Sequence, residues 1–348
     1  KMMKAFVFYH ITVSWEDAPF TQAVDFETTN PEFDSQETIL RGVIALCDEA
    51  AAQIDLASTA NFSGGQDFIY DNNFDNWRRF SNSLKLKTLM LIVDRDPSVA
   101  GQIGTLVQNR ADDLIVENSQ NALLAFGEDI TNANQLYKLH LQFAGGTSAF
   151  LNATTTILDL MEDDPRIPTY FDEGTGADPG EFIGSIPGAA DNFTNIANLS
   201  LNLIRPTEPD KWMMADEIVL LCAEAVERGF ATGDAAALFI EGETLNLDSY
   251  DGRPGTIAAG DKSDFLNNIL PSDPTLEDIQ VQQYLALHMR GVEAWTNVRR
   301  TGVPDLPNPQ NATLPDLIRR LPWSPDAINA NPNFPAQKPL DTPMWFEN

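Results

Sequence analysis

At 348 residues and 43% apolar, the chain is long enough for one large domain or two ordinary ones, and apolar enough for a substantial core, which excludes general disorder. A net charge of −29, from 22 basic and 51 acidic residues, excludes attraction to nucleic acid or to an anionic membrane surface. Such a surface reads first as one tuned for solubility or a salty habitat, with calcium binding or a preference for neutral or cationic ligands as the alternatives.

The chain opens on KMMKAFVFYHITVSW, the inside of a helix with no cap before it. A natural start upstream is therefore expected, and with it any targeting signal. No run approaches the ~20 apolar residues that span a bilayer, and no lipid-attachment cysteine stands at the N-terminus. After the turn WEDAPFTQA, Asp34 with Glu37 gives a capping-box spacing. Ile39, Leu40, Val43, Ile44, Cys47, Ala50, Ala51 and Ile54 then keep a helical rhythm to about residue 58. The Gly- and Asn-rich loop NFSGGQDFIYDNNFDN leads into helices over about 77–94 and 98–117. Residues 118–150 are mixed, with a break at Gly145 and Gly146, and a helix is predicted over about 148–161.

From 164 to 209 Gly, Pro, Asn and Asp dominate, which predicts a long irregular excursion with a short hairpin. Helices resume at Asp210 (DKWMMADEIVLLCAEAVERGF), and a partner helix runs from Gly233 and Asp234 to about 247. Residues 249–274 read as loop. The strongest local signal follows. Thr275 and Asp278 have capping-box spacing, Pro274 and Ile279 a hydrophobic-staple spacing, and Arg299, Arg300, Gly302 and Pro304 give stop signals. Val281, Leu285, His288, Val292 and Trp295 share one face between them. The pattern predicts a single helix of about 26 residues, roughly 39 Å long. It assigns His288 and Trp295 to the core, so that Trp295→Ala would cost ~3–5 kcal/mol. From 303 onward a Pro-rich tail offers no regular element.

IALCDEAA at 44–51 echoes VLLCAEAV at 219–226, with small residues where two helices would approach closely. The fold class is therefore mostly α, built of antiparallel helix pairs with long decorated loops. Cys47 and Cys222, each within an apolar helical run, read as buried free thiols.

Chemical motifs are sparse. His10, His140 and His288 stand without HExxH or a neighbouring Cys, and neither a P-loop nor a G-x-S-x-G elbow occurs. No catalytic residue, metal ligand or cofactor is assigned. The segment from Asp71 to Asp75 imitates an EF-hand start but has Asn76 and Asn82 where Gly and Glu belong. Arg78, Arg79, Lys85, Lys87 and Arg95 cluster on or beside one helix, either as a phosphate patch or, as favoured here, as partners for acids of neighbouring helices. Loop aromatics are the remaining signal, because sugar rings stack on exposed aromatic faces while Asn and Gln orient them. Phe62, Tyr70, Phe74, Phe171, Phe182, Phe193, Tyr250 and Trp323 are the candidate ligand contacts, with Phe68 beside them. The competing reading has each ring pin its loop to the core. Ala at Tyr70 or Phe182 is expected to lower affinity without lowering the melting temperature.

Several separated pieces, taken together and in order, resemble a family. KAFVFYHITVSWEDAPFTQA, PEFDSQETIL, NWRRFSNSLKLKTLMLI, the Asp164–Pro165–Arg166 triplet, WMMADEIVLLCAEAVERG, IQVQQYLALHMRGVEAWTNVRRTGVPDL and RLPWSPDAINANPNF are similar to segments of the SusD/RagB group of nutrient-binding outer-membrane lipoproteins of Bacteroidetes. Glu16 departs from that pattern, standing where the family usually has glycine, and the family's N-terminal portion is missing from the match.

The resemblance implies one SusD-like domain over 1–348. Its helical scaffold would occupy mainly 1–163 and 210–302, with the excursion at 164–209, the tail at 303–348, and tetratricopeptide-like helix pairs supporting a loop-rich face. It also implies a non-enzymatic, surface-exposed lid, held to the outer membrane by a lipid anchor upstream of this chain. That lid would bind glycans and hand them to a SusC-like TonB-dependent transporter. Peptide capture within the same family, a glycoside hydrolase and a ligand-free scaffold are the alternatives.

Overall fold

The computed structural model describes residues 1–24, 27–58, 65–144, 151–189 and 194–347. In chain order the helices are α1 (Met2–Trp15), α2 (Gln36–Gln53), α3 (Phe74–Ile92), α4 (Ala100–Gln108), α5 (Arg110–Asp113), α6 (Gln135–Ala144), α7 (Thr155–Leu160), α8 (Ile167–Tyr170), α9 (Ala215–Glu227), α10 (Ala235–Asp248), α11 (Ala259–Asp264), α12 (Leu276–Ala286), α13 (Gly291–Thr301) and α14 (Pro325–Ala330). Strand β1 (Ala122–Leu124) pairs antiparallel with β4 (Asp210–Met213), and β2 (Phe171–Asp172) with β3 (Asn198–Leu199).

The helices form the expected layers: α1, α2 and α3 pack in succession, α9 packs on α10 and α12, and α3 meets α9. The echoed segments lie in α2 and α9, where Cys47 and Cys222 are both buried and free, their thiols pushed up to about 12 by burial. A small residue is required at one crossing, because a Cβ on Gly242 of α10 would stand 2.7 Å from Leu220 of α9. Three of the basic residues on α3 pair with acids of neighbouring helices as expected, Arg78 with Asp113 of α5, Lys85 with Asp48 of α2 at 2.7 Å and Lys87 with Glu217 of α9 at 2.6 Å. Asp75, which pairs with Arg78 and Arg79 at 2.8 Å, lies on α3 itself.

Several sequence-based expectations are corrected. Ser35, not Asp34, caps α2; the Asp34 carboxylate instead accepts from the backbone N–H of Phe20 (2.9 Å) and Thr21 (2.7 Å), fixing the preceding turn. Residues 210–213 form a strand, and the helix starts only at Ala215, whose N–H is capped by Asn121 Oδ1 at 2.7 Å. Residues 249–274 carry α11 and a five-residue wide turn after it.

The predicted long helix is also broken. The Thr275–Asp278 box and the left-handed Gly302 stop are present as expected, but Met289 adopts φ 69 between α12 and α13. Tertiary partners hold that break. His288 stacks on Tyr170 at 4.1 Å, and Arg290 turns inward to Glu217 at 2.7 Å. Val292 of the supposed apolar face is 36% exposed.

Trp295 is only partly buried, so it braces the tail: its indole donates to Ile318 O at 2.8 Å, and the Arg299 guanidinium lies 3.6 Å from its ring centroid. One hydrogen bond and one cation–π contact are at stake, so Trp295→Ala is expected to lower stability by about 2 kcal/mol. Faster amide exchange around residues 318–321 should accompany it. A global loss as large as the 3–5 kcal/mol expected of a core tryptophan would return Trp295 to the core. Arg299 ties α13 to the tail through Arg319 O (2.7 Å), whereas Arg300 faces α9 and pairs with Glu224.

At the end of α1, Glu16 has φ 74 and ψ −105, a backbone region that favours glycine. Its carboxylate accepts from Arg320 and from Lys338, the latter at 2.8 Å. Glu16 thus carries ion pairs that bind α1 to the tail.

Candidate functional site

A cavity of about 560 Å3 with an aromatic wall opens where the start of α1, the 65–77 loop and the β1–β4 ribbon converge. Its volume is within the range of small-molecule sites. Trp77 and Trp212 form the wall, with Phe68 and Phe74 beside them and Gln66 and Asp67 as polar groups.

Local structure explains why these rings are presented. Asp67 organises the loop by accepting from the N–H groups of Ile69 (3.1 Å), Tyr70 (3.0 Å) and Asn72 (2.9 Å), and from Trp77 Nε1 (2.7 Å). Burial works against the Asp67 charge, but the bonds from Tyr70, Trp77, Asn72 and Ile69 outweigh it and hold the carboxyl below its ordinary range. Trp212 stacks on Phe6 of α1, centroids 4.9 Å apart and 21° inclined, which fixes one face of the indole. Phe68 is 72% exposed.

The candidate contacts distribute unevenly around this cavity. Phe74 lines it. Tyr70 lies beneath it, buried, edge-on to Trp77 at 5.0 Å and donating to Gln120 O at 2.9 Å. Phe171 and Tyr250 are core residues on either side of Tyr170, and Phe182 is half-buried against the core. Trp323 joins a separate partly buried cluster in the tail with Trp15 (5.6 Å), Phe33 (6.0 Å) and Phe334 (5.6 Å). Phe62 and Phe193 lie outside the described residues.

Burial makes Tyr70, Phe171 and Tyr250 supports rather than contacts. Sequence reasoning passed over Trp77, read as a helix start, and Trp212, read as a helix interior. No local signal would have exposed the second, because a bulge at Trp212 interrupts the strand period.

Two buried polar clusters lie outside the lining of this cavity. In one, Glu217 pairs with Lys87 and Arg290, while Glu293 bonds His10 at 2.8 Å. In the other, the fully buried Arg166 is held by Asp164 (2.6 Å), Glu243 (3.1 Å), Asn246 Oδ1 (3.0 Å) and Gln282 Oε1 (2.6 Å). Both are enclosed frameworks that set the relative positions of helices. Among the described residues no group of three or more His, Cys, Asp or Glu side chains is arranged to hold a metal ion. Asp75 of the EF-hand-like segment is engaged by Arg78 and Arg79. No described helix is long and apolar enough to cross a membrane.

The molecule is thus a mostly α scaffold of paired helices that carries a loop-built aromatic cavity. The model of the SusD-like family described as "Starch-binding associating with outer membrane" matches residues 1–322. The chain belongs to this family, which associates with the outer membrane.

Solved structures agree in fold. A chitin-binding protein superposes with a TM-score of 0.82 at 23% identity, covering 95% of this chain and 75% of its own. A SusD homologue from Bacteroides fragilis gives 0.81 at 19% identity, covering 99% and 82%. A chitin-binding SusD homologue from Flavobacterium johnsoniae gives 0.79 at 19% identity, covering 99% and 80%. No curated protein matches the sequence significantly.

Proposed function

We propose that this protein is a non-enzymatic glycan receptor of the outer-membrane surface, which stacks sugar rings on the wall formed by Trp77 and Trp212. The observation that carries the reading is this wall in a chain of a starch-binding family. Indole faces match the apolar faces of sugar rings, while Gln66 and Asp67 supply polar groups at the same cavity. The chitin-binding activity named for two structural neighbours supports a polysaccharide as the cargo. Surface exposure through a lipid anchor ahead of residue 1, and transfer of the glycan to a SusC-like TonB-dependent transporter, belong to the same proposal and rest on the family.

Calorimetric titration with malto- and chito-oligosaccharides and with a casein digest, alongside a reducing-sugar assay, tests the reading. Phe68→Ala and Trp212→Ala are each expected to weaken glycan binding by about tenfold. The exposed Phe68 should do so with the melting temperature unchanged. Both variants binding like the parent would remove this cavity from the proposal. Release of reducing sugar would end the non-enzymatic reading, and binding of peptides alone would replace glycans as cargo.

A further inference from the structure

Strand β4 separates two cavities. The β1–β4 register slips between Ala122 and Leu123, leaving Trp212 as the extra residue of a bulge; Trp212 lines the aromatic cavity while Asp210 and Lys211 line a second one of about 230 Å3. Phe126, Asn134, Gln135, Glu208 and Met289 line it too, Met289 being presented by the break between α12 and α13. This cavity is more polar than the first.

Lys211 is the unusual member. In a chain with 51 acids, its Nζ has no hydrogen-bond or ion-pair partner among the described residues; it lies 5.2 Å from the Tyr250 ring, and the buried groups whose charge it acts on, Asp216 and His288, do not hydrogen-bond to it. Apart from the exposed Arg95, every other basic side chain of the protein has such a partner. The acids at the cavity are otherwise engaged. Glu208 is held by Arg205 at 2.7 Å and Arg253 at 2.6 Å, and the exposed Asp210 accepts from Trp212 Nε1 at 3.3 Å. Arg253 also lies 5.4 Å from the Tyr250 ring, beside Lys211.

Three cations, Arg205, Lys211 and Arg253, thus meet three carboxylates here, Glu208, Asp210 and the buried Asp216, a local balance far from the strong negative charge of the molecule as a whole. Screening over about 8 Å at physiological ionic strength means that this local balance, rather than the distant surface charge, decides what enters. The cavity suits one sugar ring more than an extended chain. Asn134 cannot accept from a ligand freely, since its Oδ1 already takes the N–H groups of Leu136 (2.8 Å) and Tyr137 (3.3 Å). The exposed Gln135 amide makes no side-chain hydrogen bond to the described residues and stands ready at the mouth.

We propose that this cavity is a second ligand subsite that recognises an anionic substituent on a sugar, a uronate carboxylate or a sulfate ester, with Lys211 as the recognising cation. Charge-assisted hydrogen bonding from an otherwise unpaired ammonium supplies the discrimination against the neutral sugar. The proposal takes the sugar from the glycan-receptor reading, but it concerns a different cavity and is tested separately.

In the 348-residue chain with reductively 13C-methylated lysines, the Lys211 resonance is expected to shift on adding glucuronate or glucose 6-sulfate and to stay in place with glucose. The responding compound identifies the anion. No shift with either acid, or an equal shift with sodium acetate, would overturn the proposal. With polymers, the parent should prefer polygalacturonate over its methyl ester, or dextran sulfate over dextran. Lys211→Met keeps the stem over Tyr250 and should lose that preference by about tenfold, while Lys211→Arg should retain it. A preference undiminished in Lys211→Met would likewise refute the assignment. If Trp212→Ala and Phe68→Ala leave neutral glycan binding intact while Lys211 still responds to acid, the first cavity fails and this one stands.

Discussion

Arg166→Met is expected to destabilise the fold by about 3–5 kcal/mol, the cost of leaving buried carboxylates without their cation. Arg166 is fully buried, as is Glu243, and Asp164 is 5% exposed. The guanidinium is shared between them: Asp164 takes Nε at 2.9 and 3.0 Å and Nη2 at 2.6 Å, while Glu243 lies 3.1 Å from Nη1 with neither oxygen in hydrogen-bond alignment. Nη1 and Nη2 also reach Asn246 on α10 and Gln282 on α12, so one side chain ties the start of the excursion to two helices of the scaffold. Methionine matches the stem but leaves Asp164 and Glu243 facing each other. Lysine would restore the charge without the planar fork that hydrogen-bonds Asp164, Asn246 and Gln282 together, so Arg166→Lys should recover less than half of the loss. Urea denaturation followed by circular dichroism reads both variants. A drop under about 1 kcal/mol for Arg166→Met would mean that the cluster relaxes by admitting water, and the excursion would then need another anchor.

The elements legible in the sequence are those whose signals are local. Thr275 and Asp278 form their capping box, Asp234 caps α10, and Gly302 ends α13 in the left-handed conformation. The family segments give the architecture, because paired helices with small residues at their crossings tolerate wide variation elsewhere. What sequence alone misses is set by partners far along the chain. The break at Met289 exists because His288 stacks on Tyr170 and Arg290 reaches Glu217, residues 118 and 73 positions away, respectively. The strand at 210–213 exists because β1 pairs with it, and without that pairing DKWMMADEI reads as helix.

The site shows the same division. Loop 65–77 is correctly singled out as aromatic, but which rings face outward depends on Asp67 drawing three N–H groups and an indole toward itself. That geometry turns Tyr70 inward, so Tyr70→Ala should now be read as a core truncation. Its burial replaces the expectation of an affinity loss at constant melting temperature.

The pH dependence of stability follows from two groups with opposite signs. Burial, offset by Arg166 and reinforced by Asp164 and Asp216, pushes Glu243 up to about 7. Between its ordinary value near 4.5 and 7 the folded state holds a proton that the unfolded chain has released, so Glu243 makes stability fall as pH rises through that window. Burial, with Lys211 and Arg166 adding to it, pushes His288 down to about 3 from 6.5. Between 3 and 6.5 the unfolded chain takes up a proton that the folded state refuses, so this group makes stability rise with pH. The two slopes oppose each other from about 4.5 to 6.5, which predicts a nearly flat stability there.

Below that range the buried acids that the fold keeps ionised outweigh the groups that burial pushes up, Asp216, Asp17 and Glu347. Glu224, buried but held down to about 2 chiefly by Arg300, and Glu293, held down by Lys87 and Arg290, lose their stabilising charge as pH falls from 4.5. His288 adds to the same fall, and a steep acid transition is expected. Glu243→Gln isolates the other limb. Asp164 keeps Arg166 paired in this variant, so above pH 7 it should exceed the parent by up to about 3 kcal/mol. Near pH 4.5 the advantage should vanish, and the variant's stability should climb from 4.5 to 6.5 where the parent's is level. Chemical denaturation of both proteins at pH 4.5, 6 and 8 decides it. A Glu243→Gln variant less stable than the parent at pH 8 would show that the ionised Glu243–Arg166 pair stabilises the fold, and that the two carboxylates do not compete for one cation.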